Sequence, residues 1–260
     1  MQTESPQMPL ERQQSILRLA VAQRVVRIRD LAKQLEVHEM TVRRDLDTLS
    51  GQGLLERVHG GARMMQQSAS EVSYGLRAAQ QTDAKQAIAR AALQLIQPGD
   101  AIGLDASTTA LALAQYLGER RVNVVVTGLD VATTLAGLEV PFLLTGGNFH
   151  PPARSFTGQF VSAALARLRL DKVFFSSKGF SLERGFTDAH LPEAESKAAL
   201  IGSGSTVIAL VDHTKFTREA FCQVADLERV DIIITDQAPD PGTVNALEAM
   251  DIRLIVADRG

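Results

Sequence analysis

The 260-residue chain has no tryptophan, two tyrosines and a single cysteine, Cys222. An internal disulfide is excluded, and a cysteine cluster around a metal with it. Glycine (19) and proline (9) are too sparse for a collagen-like or low-complexity chain. No stretch approaches the ~18 consecutive apolar residues that a membrane span needs. The opening MQTESPQMPLERQQ lacks the basic start and apolar run of a secretory signal. These absences lead us to expect a cytoplasmic protein without membrane contact. What is present suits a globular core, with 45% hydrophobic residues, and at ~150 residues per domain the length suggests two domains. The net charge of −3 is unevenly spread: residues 1–66 carry ten Lys or Arg against eight Asp or Glu, and the remainder seventeen against twenty-two. A slightly basic head precedes an acidic body, which alone identifies no partner.

In the head, Leu10, Ile16, Leu17 and Leu19 form one apolar stripe, predicting a short helix over Leu10–Leu19. Ile28, Leu31, Ala32 and Leu35 predict a second, and a third runs from about Glu39 to Ser50, closed by Gly51 and Gly53. On that third helix Val42, Leu46 and Leu49 share a side. Met40, Arg44 and Thr48 then face away, with Thr41 and Arg43 on the flanks. A helix-turn-helix over about 27–46 with such a face suits the major groove; a small bundle with a solvated basic face fits the same residues. GLLERVHGGARM (53–64) predicts a hairpin turning at Gly60-Gly61, a wing presenting Arg57, His59 and Arg63 to phosphates or the minor groove. Residues 65–76 are polar and without period, and read as a linker between domains 1–64 and 77–260.

Beyond the linker, strand-like runs recur at 101–104, 122–127, 142–145, 172–177, 206–211, 231–235 and 252–256, several apolar without alternation, as strands buried on both faces are. Amphipathic stretches lie between them, notably 83–96, 108–117, 158–168 and 243–250. The alternation predicts a doubly wound, mainly parallel α/β domain with ligands at the carboxyl ends of its strands.

Several groups fall at those ends. Asp105, Ser107, Thr108 and Thr109 follow the first strand and open a helix, where hydroxyls and backbone N–H groups suit a phosphate or carboxylate; helix capping by Ser107 or Thr108 is the alternative. No Walker glycine-lysine pattern is present. Asp212 and Lys215 follow another buried strand, suited to a sugar hydroxyl and a phosphate, or to a surface ion pair. Gly146-Gly147 and the Ser177-Lys178-Gly179 stretch follow two more strands, and Lys85 begins the helix before the first. Glu195 and Lys197 lie near a helix start, as site members or as dipole partners. The five histidines, 38, 59, 150, 190 and 213, show no metal-ligand spacing, so neither metal nor cofactor is expected. No nucleophile elbow is present.

Thr41 to Leu46 (TVRRDL) and Arg57 to Ala62 (RVHGGA) resemble the T-[IV]-R-R-D-L and R-x-H-G-G-A signatures of the DeoR family of bacterial transcription regulators. The body resembles that family's sensor domain, itself similar to ribose-5-phosphate isomerase. Its D-x-G-[ST]-T loop stands as Asp105 to Thr109 and its D-x-[ST]-K as Asp212 to Lys215. Two positions depart: the loop glycine is Ser107, and the usual Thr-Asn is Thr127-Gly128. The resemblance implies a cytoplasmic homo-oligomer, dimer or tetramer, that represses carbohydrate-metabolism genes and leaves double-stranded operator DNA on binding a phosphorylated sugar. It implies DNA contacts at His38, Met40, Thr41, Arg43, Arg44, Arg57, His59, Gly60 and Gly61. Effector contacts fall at Lys85, Asp105, Ser107, Thr108, Thr109, Gly146, Gly147, Lys178, Glu195, Asp212 and Lys215. The competing class is a sugar-phosphate isomerase with Asp105 or Glu195 as base. The isomerase's Lys-Gly-x-Gly-Gly segment has no counterpart here, so no catalytic residue is expected.

Overall fold

A computed structural model describes residues 9–51, 54–64 and 74–258. The first eight residues, Gln52 and Gly53 at the expected start of the wing, the expected linker stretch 65–73 and the last two residues lie outside it. Contacts divide the chain into two compact units, meeting between Thr82 and Asp83.

The first unit runs α1 (Pro9–Gln23), β1 (Val25–Arg27), α2 (Ile28–Gln34), α3 (Glu39–Gly51), β2 (Leu55–Val58), β3 (Gly61–Met64) and α4 (Tyr74–Ala79). The three helices expected in the head are present, the first longer than its apolar stripe. Ile16, Leu17 and Ala20 of α1, Ile28 and Leu31 of α2, and Val42, Leu46 and Leu49 of α3 meet in one core with Leu54, Leu55 and Ala62 of the wing. A buried pair reinforces it: the Arg12 guanidinium holds the Asp45 carboxylate at two points, tying α1 to α3. β1 was not foreseen from the sequence. It pairs antiparallel with β3, Arg27 opposite Gly61, making a three-stranded sheet in the order β1-β3-β2. A Cβ on Gly61 would lie 2.0 Å from the Val26 carbonyl oxygen, so this contact demands glycine. α4 packs on α1, with Ala79 in the head's core. Residues 74–76, read from the sequence as linker, therefore begin a helix of the first unit.

The second unit runs α5 (Thr82–Leu93), β4 (Ala101–Leu104), α6 (Thr108–Ala114), β5 (Asn123–Val126), α7 (Leu129–Gly137), β6 (Phe142–Leu144), β7 (Asn148–His150), β8 (Ser155–Thr157), α8 (Gln159–Leu165) and β9 (Leu170–Phe175). It continues with β10 (Gly179–Ser181), β11 (Gly185–Asp188), α9 (Leu191–Gly202), β12 (Gly204–Leu210), β13 (Cys222–Ala225), β14 (Ile232–Thr235), α10 (Pro241–Ala249) and β15 (Arg253–Val256). Seven strands form a parallel sheet in the order β15-β14-β12-β9-β4-β5-β6. Each corresponds to one of the seven apolar runs of the sequence. Side chains alternate across the pleat. Phe174, Ile208 and Leu210 join a core with Ile88 of α5, Leu113 of α6 and Leu135 of α7. Val173, Phe175, Val207 and Ala209 join another with Val161 of α8, Leu200 of α9 and Leu247 of α10. Helices thus cover both faces, the doubly wound α/β arrangement expected. Two antiparallel pieces are added to it, the β7-β8 hairpin and the sheet β10-β11-β13.

Candidate functional sites

In the first unit the residues of interest lie on α3 and the wing. His38 caps α3: its Nδ1 accepts the Met40 backbone N–H at 3.2 Å, and its carbonyl accepts that of Thr41 at 2.9 Å. Capping through Nδ1 leaves the proton of a neutral imidazole on Nε2. With Val42, Leu46 and Leu49 turned inward, Met40, Arg43 and Arg44 are exposed and Thr41 half-buried. Arg43 reaches Glu39 one turn back at 3.9 Å, an exposed contact of small energy. Arg44 makes no ion pair among the described residues.

The wing differs from expectation at three residues. Arg57 lies 3.0 Å from Asp47 Oδ1 of α3 and donates to the Gly61 carbonyl at 2.8 Å, so it joins wing to helix instead of pointing at solvent. Arg63 pairs across the hairpin with Glu56, donating at 2.9 and 3.0 Å. Gly61 is buried beneath β1. His59 and Gly60, which takes φ +76°, form the exposed tip.

In the second unit β4 and β9 are neighbours although the winding reverses between them, and such sheets open a crevice outside the carboxyl ends at that point. Asp105, directly after β4, is fully buried. One carboxylate oxygen accepts the Ser107 N–H at 3.0 Å and the other the Ser176 N–H at 3.1 Å, binding the two loops together. Lys197 of α9 lies 3.6 Å from Asp105, donates to the Ser176 carbonyl at 2.9 Å and reaches Asp188 at 2.7 Å. Lys178 holds the other oxygen of Asp188 at 3.0 Å. Burial alone pushes Asp188 up, but Lys197 and Lys178 outweigh it and hold the carboxyl well below the usual range. Burial likewise opposes the Lys197 charge, and Asp188 with Asp105 more than restores it. For Asp105 burial prevails over Lys197 and the donors, and its carboxyl is raised.

The other expected effector residues fall into two groups. Thr108 and Thr109 are buried at the start of α6, and Ser107 caps that helix, its Oγ accepting the Ala110 N–H at 3.0 Å. Asp212 follows β12 and accepts from the Thr214 N–H and hydroxyl; Lys215 is 3.7 Å away. Lys85 is buried on α5. Gly146 and Gly147, at φ +67° and +108°, follow edge strand β6, and a Cβ on Gly147 would lie 2.7 Å from the Thr157 carbonyl oxygen. They serve the hairpin. Glu195 is exposed, because two residues along a helix turn the side chain by roughly 200° from the face that carries Glu193 and Lys197. Glu193 accepts from the Ser155 hydroxyl of β8. The departure at Gly128 also has a local cause, since a Cβ there would lie 2.7 Å from Ala106 Cα. Among the described residues no cluster of His, Cys, Asp and Glu is placed to hold a metal, and no helix is long and apolar enough to cross a membrane.

Two family models cover these units. That described as the DeoR-like helix-turn-helix domain matches residues 12–68, and that described as the DeoR C terminal sensor domain matches residues 80–237. The chain belongs to the DeoR family. Among its relatives, the HTH-type transcriptional regulator YulB of Bacillus subtilis (strain 168) is 33% identical over 245 residues, 94% of this chain and 95% of its own length. The HTH-type transcriptional repressor GlcR of the same organism is 32% identical over 250 residues, 91% of this chain and 96% of its own. The solved ribose 5-phosphate isomerase A of Methanocaldococcus jannaschii aligns over 52% of this chain and 55% of its own, at 17% identity and a TM-score of 0.41. This DeoR-family regulator thus pairs a winged helix-turn-helix with an α/β sensor domain. Asp188 and Glu193, which join the crevice cluster, were not read from the sequence as site members, whereas Lys197 was, with helix-dipole pairing as the alternative. The Glu193/Lys197 spacing on one helix face was the available signal.

Proposed function

We propose that the protein is a sequence-specific repressor of carbohydrate-metabolism genes that binds operator DNA as a homo-oligomer and releases it when a phosphorylated sugar occupies the sensor domain. The exposed Met40, Arg43 and Arg44 on a helix anchored by Val42, Leu46 and Leu49 carry the DNA half of this reading. His38, Thr41, His59 and Gly60 flank that face. Base contacts from α3 specify the sequence, and phosphate contacts from His38, Arg43 and the wing tip set the register. The effector half rests on the crevice at the carboxyl ends of β4, β9 and β12, where Thr108, Thr109, Lys178 and Lys215 would meet a sugar phosphate.

An isomerase role is disfavoured on chemical grounds. Asp105 is engaged by Ser107, Ser176 and Lys197, and Glu195 faces solvent, so neither is poised to take a proton from a substrate carbon. Release requires the effector to bind more tightly to the form that fits operator poorly, with couplings of ~1–3 kcal/mol typical. Operator binding measured against a panel of sugar phosphates tests both halves. Release by one member, without its turnover, is the expected result; indifference to all members, or turnover, defeats the proposal.

A further inference from the structure

Beside the crevice, outside every group assigned above, two histidines lie ring on ring. His150 of β7 and His190, which precedes α9, stack with centroids 4.1 Å apart and planes 8° from parallel. The hairpin carrying His150 is fixed to the end of β5: Phe156 donates to the Thr127 carbonyl at 2.8 Å, and Ser155 bridges to Gly128. The charged groups facing His150 are Glu193 of α9, Lys178 after β9 and Asp188 of β11, with His190 stacked on it. Two of these groups, Lys178 and Asp188, belong to the crevice cluster already described. The pair therefore adjoins that cluster.

One atom at this corner is left unanswered. The Nδ1 of His190 is buried and has no hydrogen-bond partner among the described residues. A buried ring nitrogen without a partner is costly and calls for a group that supplies one. Lys178, Lys197, Asp188, Asp105 and Glu193 give this corner a balance of −1 while both imidazoles are neutral, and each proton taken up adds +1. An arriving anionic oxygen group would reverse the balance of effects on the rings. Burial, His190 and Lys178 now oppose a charge on His150, against Glu193 and Asp188.

Resting on the effector site proposed above, we infer that the His150–His190 stack, with Lys178, receives an anionic group of the effector, carboxylate or phosphate, and takes up a proton as it does so. His190 then donates through Nδ1 to the anion, and the proton comes from solvent. Effector binding weakens as pH rises from the pair's free pKa to its bound pKa, by up to tenfold per pH unit for one proton taken up, and levels off above that.

The test follows the Cε1–H resonances of the five histidines in the full-length protein through a pH titration. His150→Asn and His190→Asn assign the pair, and circular dichroism checks that both variants fold. The probes are 6-phosphogluconate, which bears a carboxylate and a phosphate, and glucose 6-phosphate, which bears the phosphate alone. Expected is a rise of about one unit or more in the titration of His150 or His190 with bound probe, with His38, His59 and His213 unmoved. A rise with 6-phosphogluconate only assigns a carboxylate to the corner; a rise with both assigns the phosphate. If a probe shifts the amides of Ser107, Thr108 and Thr109 while the pair titrates unchanged, the inference is overturned and the effector site stands. If neither probe perturbs any of these groups, the inference fails together with the crevice as a site for such sugars.

Discussion

At the scale of single residues, the two arginines that the sequence offers most plainly to DNA divide into different roles. Arg44 is exposed on α3 and free to read a base edge, so Arg44→Ala should lower discrimination between operator and a substituted site by about 1–3 kcal/mol. Competition binding with single-base variants checks this. Arg57 is held by Asp47 and by the Gly61 carbonyl, and its work is to fix the wing against the helix. Asp47→Ala and Arg57→Ala should therefore weaken operator binding to a similar extent, and neither should change the salt dependence by the one unit that loss of a phosphate contact brings. Were Arg57 a phosphate ligand, Asp47→Ala would leave binding intact or strengthen it by removing a negative charge near the DNA, and only Arg57→Ala would flatten the salt slope. Titrations at three ionic strengths separate these outcomes. The TVRRDL signature thus mixes functions: Arg44 points outward, while Asp45 beside it points into the core.

Among elements, that inward aspartate joins two helices. The Arg12–Asp45 pair is almost entirely buried, and removal of Asp45 takes the two-point carboxylate contact from the Arg12 guanidinium. Asp45→Ala should cost about 3–5 kcal/mol of stability in the head, read as a lowered urea midpoint, while Asp45→Asn keeps part of the hydrogen bonding and loses less. A loss within a few tenths of a kcal/mol would mean that α3 is positioned by Val42, Leu46 and Leu49 alone. The elements differ in how legible they are. All seven strands of the parallel sheet are visible as apolar runs because each is covered on both faces, so that IIIT at 232–235 needs no alternation. The small antiparallel strands outside the wing hairpin are not. β1, β7, β8 and β10 are three residues long, and their patterns depend on which loop happens to cover them. β1 in particular exists because Gly61 lets Val26 approach β3, a long-range condition that no local period encodes. The same holds within the site. Asp105 and Lys178 were legible as strand-end residues and Lys197 as a helix-start candidate, whereas the rotation of α9 brings in Glu193 and turns Glu195 away.

For the whole molecule, the proposed function joins two units through one equilibrium, and a substitution in the sensor should then change regulation without changing recognition. Lys215 sits after β12 beside Asp212, in the second unit, whereas α3 belongs to the first. Lys215→Ala removes an ammonium suited to a phosphate and leaves the DNA-reading groups untouched. Operator affinity without effector should stay within a factor of about two, while the effector concentration needed for half-release rises by at least about tenfold, equivalent to ~1.4 kcal/mol. The linkage is reciprocal, so in the unaltered protein saturating operator DNA must weaken effector binding by the same factor that effector weakens operator binding. Titrating effector into the protein with and without operator measures that factor directly. Release that persists unchanged in Lys215→Ala would place the phosphate elsewhere in the crevice. Unequal factors in the unaltered protein would mean that a change of oligomeric state intervenes between the two binding events, because the equality holds only when both ligands act on one fixed assembly.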